Sequence, residues 1–315
     1  MEGFEMKNLI VSETPHIRSR KKTSNVMLKV VFALLPAAIW GIYIFGLRAL
    51  FVMATAIVSC LLAETLYNLI AKKENTIKDG SALVTGLLLG MNISSLVPYY
   101  QVVLASFFAI IVVKMLFGGL GCNFMNPALA GRAFLMASFA GDMAKFEKVG
   151  ADALTSATPL VAKNVPLLDL FIGKCSGSIG EVSALLLILG GMYLVLSGVI
   201  KINIPLAYIG TVAVLEFTLG GFNVETMLYA LLSGGLMLGA FFMATDYVTS
   251  PVTGKGMVAA GILAGVLTYV IRHFGGYPEG VSYAILLMNV ATPLIDKVFK
   301  NKRFGEVAKW KKQKA

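Results

Sequence analysis

Ten apolar runs separated by short polar stretches follow one another along this chain, at about 27–46, 50–71, 80–97, 100–118, 126–141, 181–199, 203–220, 225–244, 255–272 and 279–298. A helix needs roughly 20 apolar residues to cross a bilayer, so the pattern predicts an all-α polytopic membrane protein with about ten transmembrane helices. Met1 to Asn25 is polar and charged and has no apolar core, so no cleavable signal peptide is expected ahead of the first span. The one long connection lies between the fifth and sixth runs. The expected organisation is therefore an N-terminal segment (1–26), a first set of five helices (27–141), a connecting loop (142–180), a second set of five (181–298) and a basic tail (299–315).

Composition agrees with this reading: 57% of the 315 residues are hydrophobic and 14% charged, and the mean hydropathy is +0.79. A net charge of +10 would suit a nucleic-acid partner, but the basic residues gather at the flanks of the apolar runs. Lys7, Arg18, Arg20, Lys21 and Lys22 precede the first run, Lys72, Lys73 and Lys78 follow the second, and Lys297, Lys300, Lys302, Arg303, Lys309, Lys311, Lys312 and Lys314 follow the last. An even number of spans puts all three clusters on one face, which the positive-inside rule makes cytoplasmic, with both termini inside. No nucleic acid is expected as a partner. Membrane lipid is, and the lysine-rich tail reads either as a topology signal or as a site for anionic lipid or a partner. The loop over 142–180 then falls on the outer face. Loops of that length are more often functional than not.

The two sets of five resemble each other. Leu83-Val84-Thr85-Gly86-Leu87-Leu88-Leu89-Gly90 parallels Leu232-Ser233-Gly234-Gly235-Leu236-Met237-Leu238-Gly239, and Gly118-Gly119 parallels Gly275-Gly276. Because five is odd, such repeats would have inverted topology, an arrangement of transport folds. Gly86, Gly90, Gly235, Gly239, Gly261 and Gly265 also read as small residues that let helices approach closely.

Within the outer loop, Asp152-Ala153-Leu154-Thr155-Ser156-Ala157-Thr158-Pro159-Leu160 has the form Asp-x-x-[Ser/Thr]-[Ser/Gly]-Ala-Thr, on which flavin transferases place FMN by a phosphoester to the last threonine. The chemistry needs an exposed hydroxyl, here Thr158, flanked by small residues, here Ser156 and Ala157, so that a transferase closes around it. The competing reading is an ordinary turn stabilised by Asp152 and Thr155. Ionisable groups inside spans are costly and thus functional candidates. Glu64 stands out as either an ion-path residue or an interhelical hydrogen-bonding group. Glu216 lies near a helix end, and Lys114 is explained by snorkelling. Asp79 and Asp246 read as helix caps or cofactor contacts. Cys60, Cys122 and Cys175 lack metal-type spacing, with Cys122 expected to be packed, and His16 and His273 are single. Asn126-Pro127-Ala128 has the form of a water-channel motif, but it occurs once, and Pro127 fits the first turn of a helix.

Further segments carry a family resemblance over nearly the whole chain. They are Thr14-Pro15-His16-Ile17-Arg18-Ser19, Ala33-Leu34-Leu35-Pro36-Ala37, Gly41-Ile42-Tyr43, Phe45-Gly46, Asp79 to Gly86, Gly118-Gly119-Leu120-Gly121, Asn123 and Asn126-Pro127-Ala128. After the threonine motif come Met243-Ala244-Thr245-Asp246, Thr249-Ser250-Pro251, Gly275-Gly276-Tyr277-Pro278-Glu279-Gly280 and Leu286-Leu287-Met288-Asn289. In this order they resemble the NqrB/RnfD family of membrane flavoprotein subunits, and the Thr249-Ser250-Pro251 segment with the short N-terminal lead-in places the chain nearer the Rnf branch. Cys122, Tyr247 and Ser156 depart from the family's more frequent residues and leave the acceptor in place. The resemblance implies covalent FMN on Thr158 and leaves open a noncovalent riboflavin among the helices. It implies electron transfer between ferredoxin and NAD coupled to Na+ or H+ movement, with the A, B, C, E and G subunits of the Rnf complex as partners, a second FMN carried by RnfG, and a flavin transferase for maturation. In that setting no complete catalytic activity belongs to this chain alone. The alternative is a non-redox transporter or channel on the same inverted-repeat scaffold, with Thr158 unmodified.

Overall fold

The computed structural model describes residues 22–74, 76–147, 165–275 and 280–300, all of it helix, turn and loop. Helix α1, Thr23–Ile70, runs for 48 residues and breaks at Gly46 (φ 71°, ψ −162°). This left-handed φ suits glycine because any Cβ would be strained there. The break divides the helix into arms 23–45 and 47–70, each on the order of 35 Å at 1.5 Å per residue. The first two predicted spans thus meet at one residue with no polar loop between them.

A short 3-10 turn, Ile77–Asp79, leads into α2, Ser81–Met91. There Asp79 Oδ1 accepts from the backbone N–H and the hydroxyl of Ser81 (2.8 and 2.6 Å), but Asp79 lies one residue ahead of the helix N-cap, which is Gly80. Helix α3, Tyr99–Phe107, widens into a π-helix over Phe108–Met115. Asn126 caps α4, Pro127–Ser138, by accepting from the N–H groups of Ala128 and Leu129, and Pro127 occupies the first turn as expected. Short helices α5, Ala140–Met143, and α6, Leu167–Ile172, follow. The second half contains α7, Ala184–Leu196, α8, Asn203–Leu219, and α9, Val224–Leu232. Next come α10, Leu236–Leu238, continuing as a π-helix over Gly239–Met243, then α11, Gly254–Phe274, and α12, Val281–Val298.

Each of the ten apolar runs contains helix, but the helices are unequal. Among the described residues only α1, α11 and α12 are long and apolar enough to cross a membrane as single elements, and α9 with α10 and its π segment forms a fourth candidate bent by 65°. Helices α2, α4 and α7 have 11, 12 and 13 residues, which at about 1.5 Å per residue reaches only half or two thirds of a hydrocarbon core of roughly 30 Å. Nor is the loop over 142–180 without structure, because it includes α6 and its last residues are buried. Ile179 N–H donates to Ile93 O (3.1 Å) and Gly180 N–H to Met91 O (2.7 Å).

Close packing rests on the small residues. A Cβ on Gly86 would lie 2.7 Å from Ile57 Cα, and one on Gly90 would lie 3.0 Å from Met53 Cα, so α2 rests on the backbone of α1. Gly261 and Gly265 let α11 rest on Ala207, Tyr208 and Thr211 of α8 in the same way. Phe32, Ile39, Tyr43 and Leu47 point outward from α1, as helices facing lipid tails require.

Candidate functional site

Among the described residues, two buried ion pairs lie between these helices, with a third carboxylate contact whose histidine is exposed. Glu64 of α1 is fully buried and accepts from Lys114 Nζ at 2.7 Å. Lys114 is 2% exposed and also donates to Ser81 Oγ (2.6 Å). Thr76 Oγ1 donates to the other oxygen of Glu64 and accepts from Asn68 Nδ2 at 3.1 Å. The snorkelling expected of Lys114 is therefore overturned: the π-helical widening of α3 carries its ammonium inward, and the carboxylate offsets the desolvation that would otherwise drive the side chain to the surface.

The second pair joins Arg132 of α4 to Glu181, just ahead of α7. Arg132 Nη1 donates to Glu181 Oε1 (3.0 Å), Asn92 Oδ1 (3.0 Å) and Ser282 Oγ (3.1 Å). Asn92 Nδ2 donates in turn to Met243 Sδ (3.1 Å), and Asn126 Nδ2 donates to Met243 O (3.2 Å). Asn289, its amide oriented by these partners, accepts from Asn126 N–H (3.0 Å). Residues of α2, α4, α10 and α12 are thus tied together at the centre.

The third contact is Glu216 with His273 Nε2 at 3.1 Å. Glu216 is buried rather than reaching the interface. Arg272 beside it donates to Ala230 O (2.7 Å) and Ser233 O (3.4 Å), at the C-terminal end of α9, where a cation is favoured by the helix dipole.

Beside Lys114 of the first pair lies a cavity of about 100 Å³, lined by Ser81, Thr85, Lys114, Asn123, Asn126, Pro127, Phe241, Phe242, Thr245, Asp246 and Tyr247 among others. Segments far apart in sequence, Asp79 to Gly86, Asn123 to Ala128 and Thr245 to Tyr247, converge here with both π-helical segments, and such widenings frequently mark functional sites. Asp246 accepts from Thr249 Oγ1 (3.2 Å) and Asn123 Nδ2 (3.5 Å). Burial pushes its carboxyl above the usual carboxylate range, against the opposing pull of these hydrogen bonds and of nearby backbone N–H groups. A second space of about 250 Å³ shares Val26, Val199 and Tyr247 with this cavity and also meets Lys29 and Gly198. Cys122, expected to be packed, is exposed, whereas Cys60 and Cys175 are buried.

Asp152, Thr155, Ser156, Ala157 and Thr158 lie outside the described residues. What flanks them is tightly held. Ser94 Oγ donates to Lys145 O (2.7 Å), Ser95 Oγ to Glu147 Oε2 (2.8 Å) and Gln101 Nε2 to Asp142 Oδ2 (2.6 Å). Lys145 Nζ donates to Asp142 Oδ1 (2.8 Å), and these two donors hold the Asp142 carboxyl below the usual carboxylate range, the lysine having the larger effect.

Sequence reasoning singled out Glu64 and Glu216 but passed over Arg132 and Glu181. The signal for Arg132 was present, since a lone arginine inside the apolar run 126–141 is as costly as Glu64. Glu181 sits at the first residue of its run and so looked like an ordinary flank.

Residues 10–305 match the family described as NQR2, RnfD, RnfE. The chain is 46% identical to the D subunit of the Na(+)-translocating ferredoxin:NAD(+) oxidoreductase complex of Acetobacterium woodii, over 97% of this chain and 98% of that protein. It is 43% identical to the D subunit of the proton-translocating ferredoxin:NAD(+) oxidoreductase complex of Clostridium ljungdahlii, over 94% and 96%. Identity to the D subunit of the ion-translocating oxidoreductase complex of Escherichia coli is 35%, over 94% and 98%.

Proposed function

Because this chain belongs to the NQR2/RnfD/RnfE family, we propose that it is the D subunit of a membrane-bound Rnf complex. In this reading it passes electrons between ferredoxin and NAD, coupled to Na+ or H+ translocation, and carries FMN in phosphoester linkage to Thr158. The observation that carries the reading is the near full-length identity to D subunits whose names state that activity. The flavin supplies the redox chemistry when attached, and the work of this chain's own residues is to position it and to conduct the ion. Ser94, Ser95 and Gln101 pin one stem of the loop to the helices, and the pairing of 179–180 with Met91 and Ile93 pins the other. That fits a tethered group kept close to the bundle.

Glu64 belongs to the ion path in this reading, since a buried carboxylate that exchanges Lys114 for a passing cation needs no net change in its own charge. For a noncovalent riboflavin, the two spaces that share Val26, Val199 and Tyr247 together reach the lower end of the roughly 300–1,000 Å³ typical of ligand pockets, and Asn123, Asn126 and Thr245 supply polar contacts. The inverted repeat is part of the same proposal, supported by the parallel of Leu83 to Gly90 with Leu232 to Gly239 and of Gly118-Gly119 with Gly275-Gly276. So are the cytoplasmic termini, the outer position of the Thr158 loop, the association with the A, B, C, E and G subunits, and maturation by a flavin transferase.

Co-expression with a flavin transferase should yield a denatured-gel band that fluoresces under ultraviolet light and disappears in Thr158→Val. A non-fluorescent wild-type band, or fluorescence that survives the substitution, would refute the attachment and favour a non-redox transporter on the same scaffold.

A further inference from the structure

We propose that Glu181 is a second membrane-embedded cation site, at which a small monovalent cation, Na+ or H+, competes with the tethered guanidinium of Arg132. The inference rests on the function proposed for the chain only in that the complex moves such a cation. Arg132 Nη1 carries two hydrogens yet faces three oxygens, from Glu181, Asn92 and Ser282, at 3.0, 3.0 and 3.1 Å. A charge surrounded in this way by carboxylate, amide and hydroxyl oxygens sits in the ligand set that hard cations prefer, and here the protein's own cation fills it.

The backbone around Glu181 is broken. Helices α9 and α10 meet at Ser233-Gly234-Gly235 with a 65° bend, and Gly234 has a φ of 69°. The Glu181 carboxylate lies directly against Gly235, where any Cβ would collide with Oε1. It therefore faces the start of α10, while Arg272 takes the carbonyls at the end of α9. Discontinuous helices whose ends meet ionic groups are the form that ion sites take in transport folds.

Two hydroxyls, Ser233 Oγ at this break and Ser178 Oγ three residues before Glu181, are in residues each 1% exposed and make no hydrogen bond among the described residues. Ser178 is tied to the site through its carbonyl, which accepts from Glu181 N–H (3.1 Å). They are oxygen ligands in reserve. When a cation binds the carboxylate, Arg132 keeps Asn92 and Ser282 as acceptors, so the guanidinium is released without losing all its partners. Among the described residues, Arg132, Arg272 and the Cys175 thiol interact electrostatically with Glu181.

The test uses the assembled complex in membrane vesicles, treated with dicyclohexylcarbodiimide and analysed for Glu181 modification by peptide mass spectrometry. Sodium chloride, compared with choline chloride at equal ionic strength, should lower Glu181 labelling about fivefold by mass action. If the ion is a proton, sodium does not protect, and the fall in labelling with rising pH, which any carboxyl shows toward a carbodiimide, is read by its midpoint. Ser233→Ala leaves the ion pair intact and should raise the sodium or pH requirement about threefold through loss of one ligand. Labelling that sodium does not lower and whose pH midpoint Ser233→Ala leaves unchanged, or a Glu181 that is never labelled, overturns the site. Absence of ferredoxin-driven ion uptake in the same vesicles would instead remove the function on which it rests, while unprotected labelling with uptake intact removes this site alone.

Discussion

Glu64 and Lys114 stand 50 positions apart in sequence and 2.7 Å apart in space. Removing one partner of a buried pair strands the other's charge, whereas replacing both with apolar groups is far better tolerated. Lys114→Met should therefore destabilise the subunit by about 3–5 kcal/mol, and the double variant Glu64→Leu/Lys114→Met by clearly less, both measured by unfolding in detergent. A double-variant loss equal to the sum of the losses in Glu64→Leu and Lys114→Met would mean that the pair is not coupled. Glu64→Gln, which keeps the side-chain shape, should reduce ion pumping by the intact complex more than it reduces flavin content; unchanged pumping would count against the ion path. The cost of Glu64 was legible in the sequence because depth within an apolar run is a property of one residue. Its neighbour was not, because pairing depends on which face of α3 turns inward.

At the scale of elements, helix length and helix contact were unequally readable. The glycine spacing at 86 and 90 announced a close approach, and the structure supplies the surface it meets, Met53 and Ile57 of α1. Gly86→Val should wedge α2 from α1 and lower stability by about 1–3 kcal/mol. Gly210 in α8 has open space where a Cβ would go, so Gly210→Ala should be neutral or stabilise by roughly 0.5–1 kcal/mol from helix propensity. A thermal-shift comparison of the two separates packing from propensity. The shortness of α2, α4 and α7 escaped the hydropathy pattern because apolar residues that flank a helix end are as hydrophobic as those inside it. Ser94 and Ser95 after α2, both buried and hydrogen-bonded to the loop stem, were the nearest sign of a chain that turns within the protein.

For the whole molecule, the distribution of lysine and arginine predicts sidedness. Tags at Lys148 and Lys312 should report opposite faces, with the first labelled in intact cells and the second only after permeabilisation. Labelling of Lys312 from outside would overturn the orientation. The candidate site is likewise a property of the whole, because Ser81, Asn126, Phe242 and Asp246 reach one cavity from segments far apart in the chain. Ser81, Asn126 and Asp246 had drawn notice within their own motifs, but their meeting point had no linear trace.

Hydrophobicity and charge act residue by residue along a chain, so the sequence by itself determined the all-helical membrane class, the polar breaks, the glycine packing faces, the buried cost of Glu64 and the threonine motif at 152–158. Pairing acts across space. Only the tertiary structure decided that Lys114 neutralises Glu64, that Arg132 meets Glu181 at a broken helix, that Glu216 is closed in by His273, and that several predicted spans are shorter than a bilayer. Each of those outcomes depends on how helices rotate and end against one another, and desolvation then selects the partner that a buried charge must find.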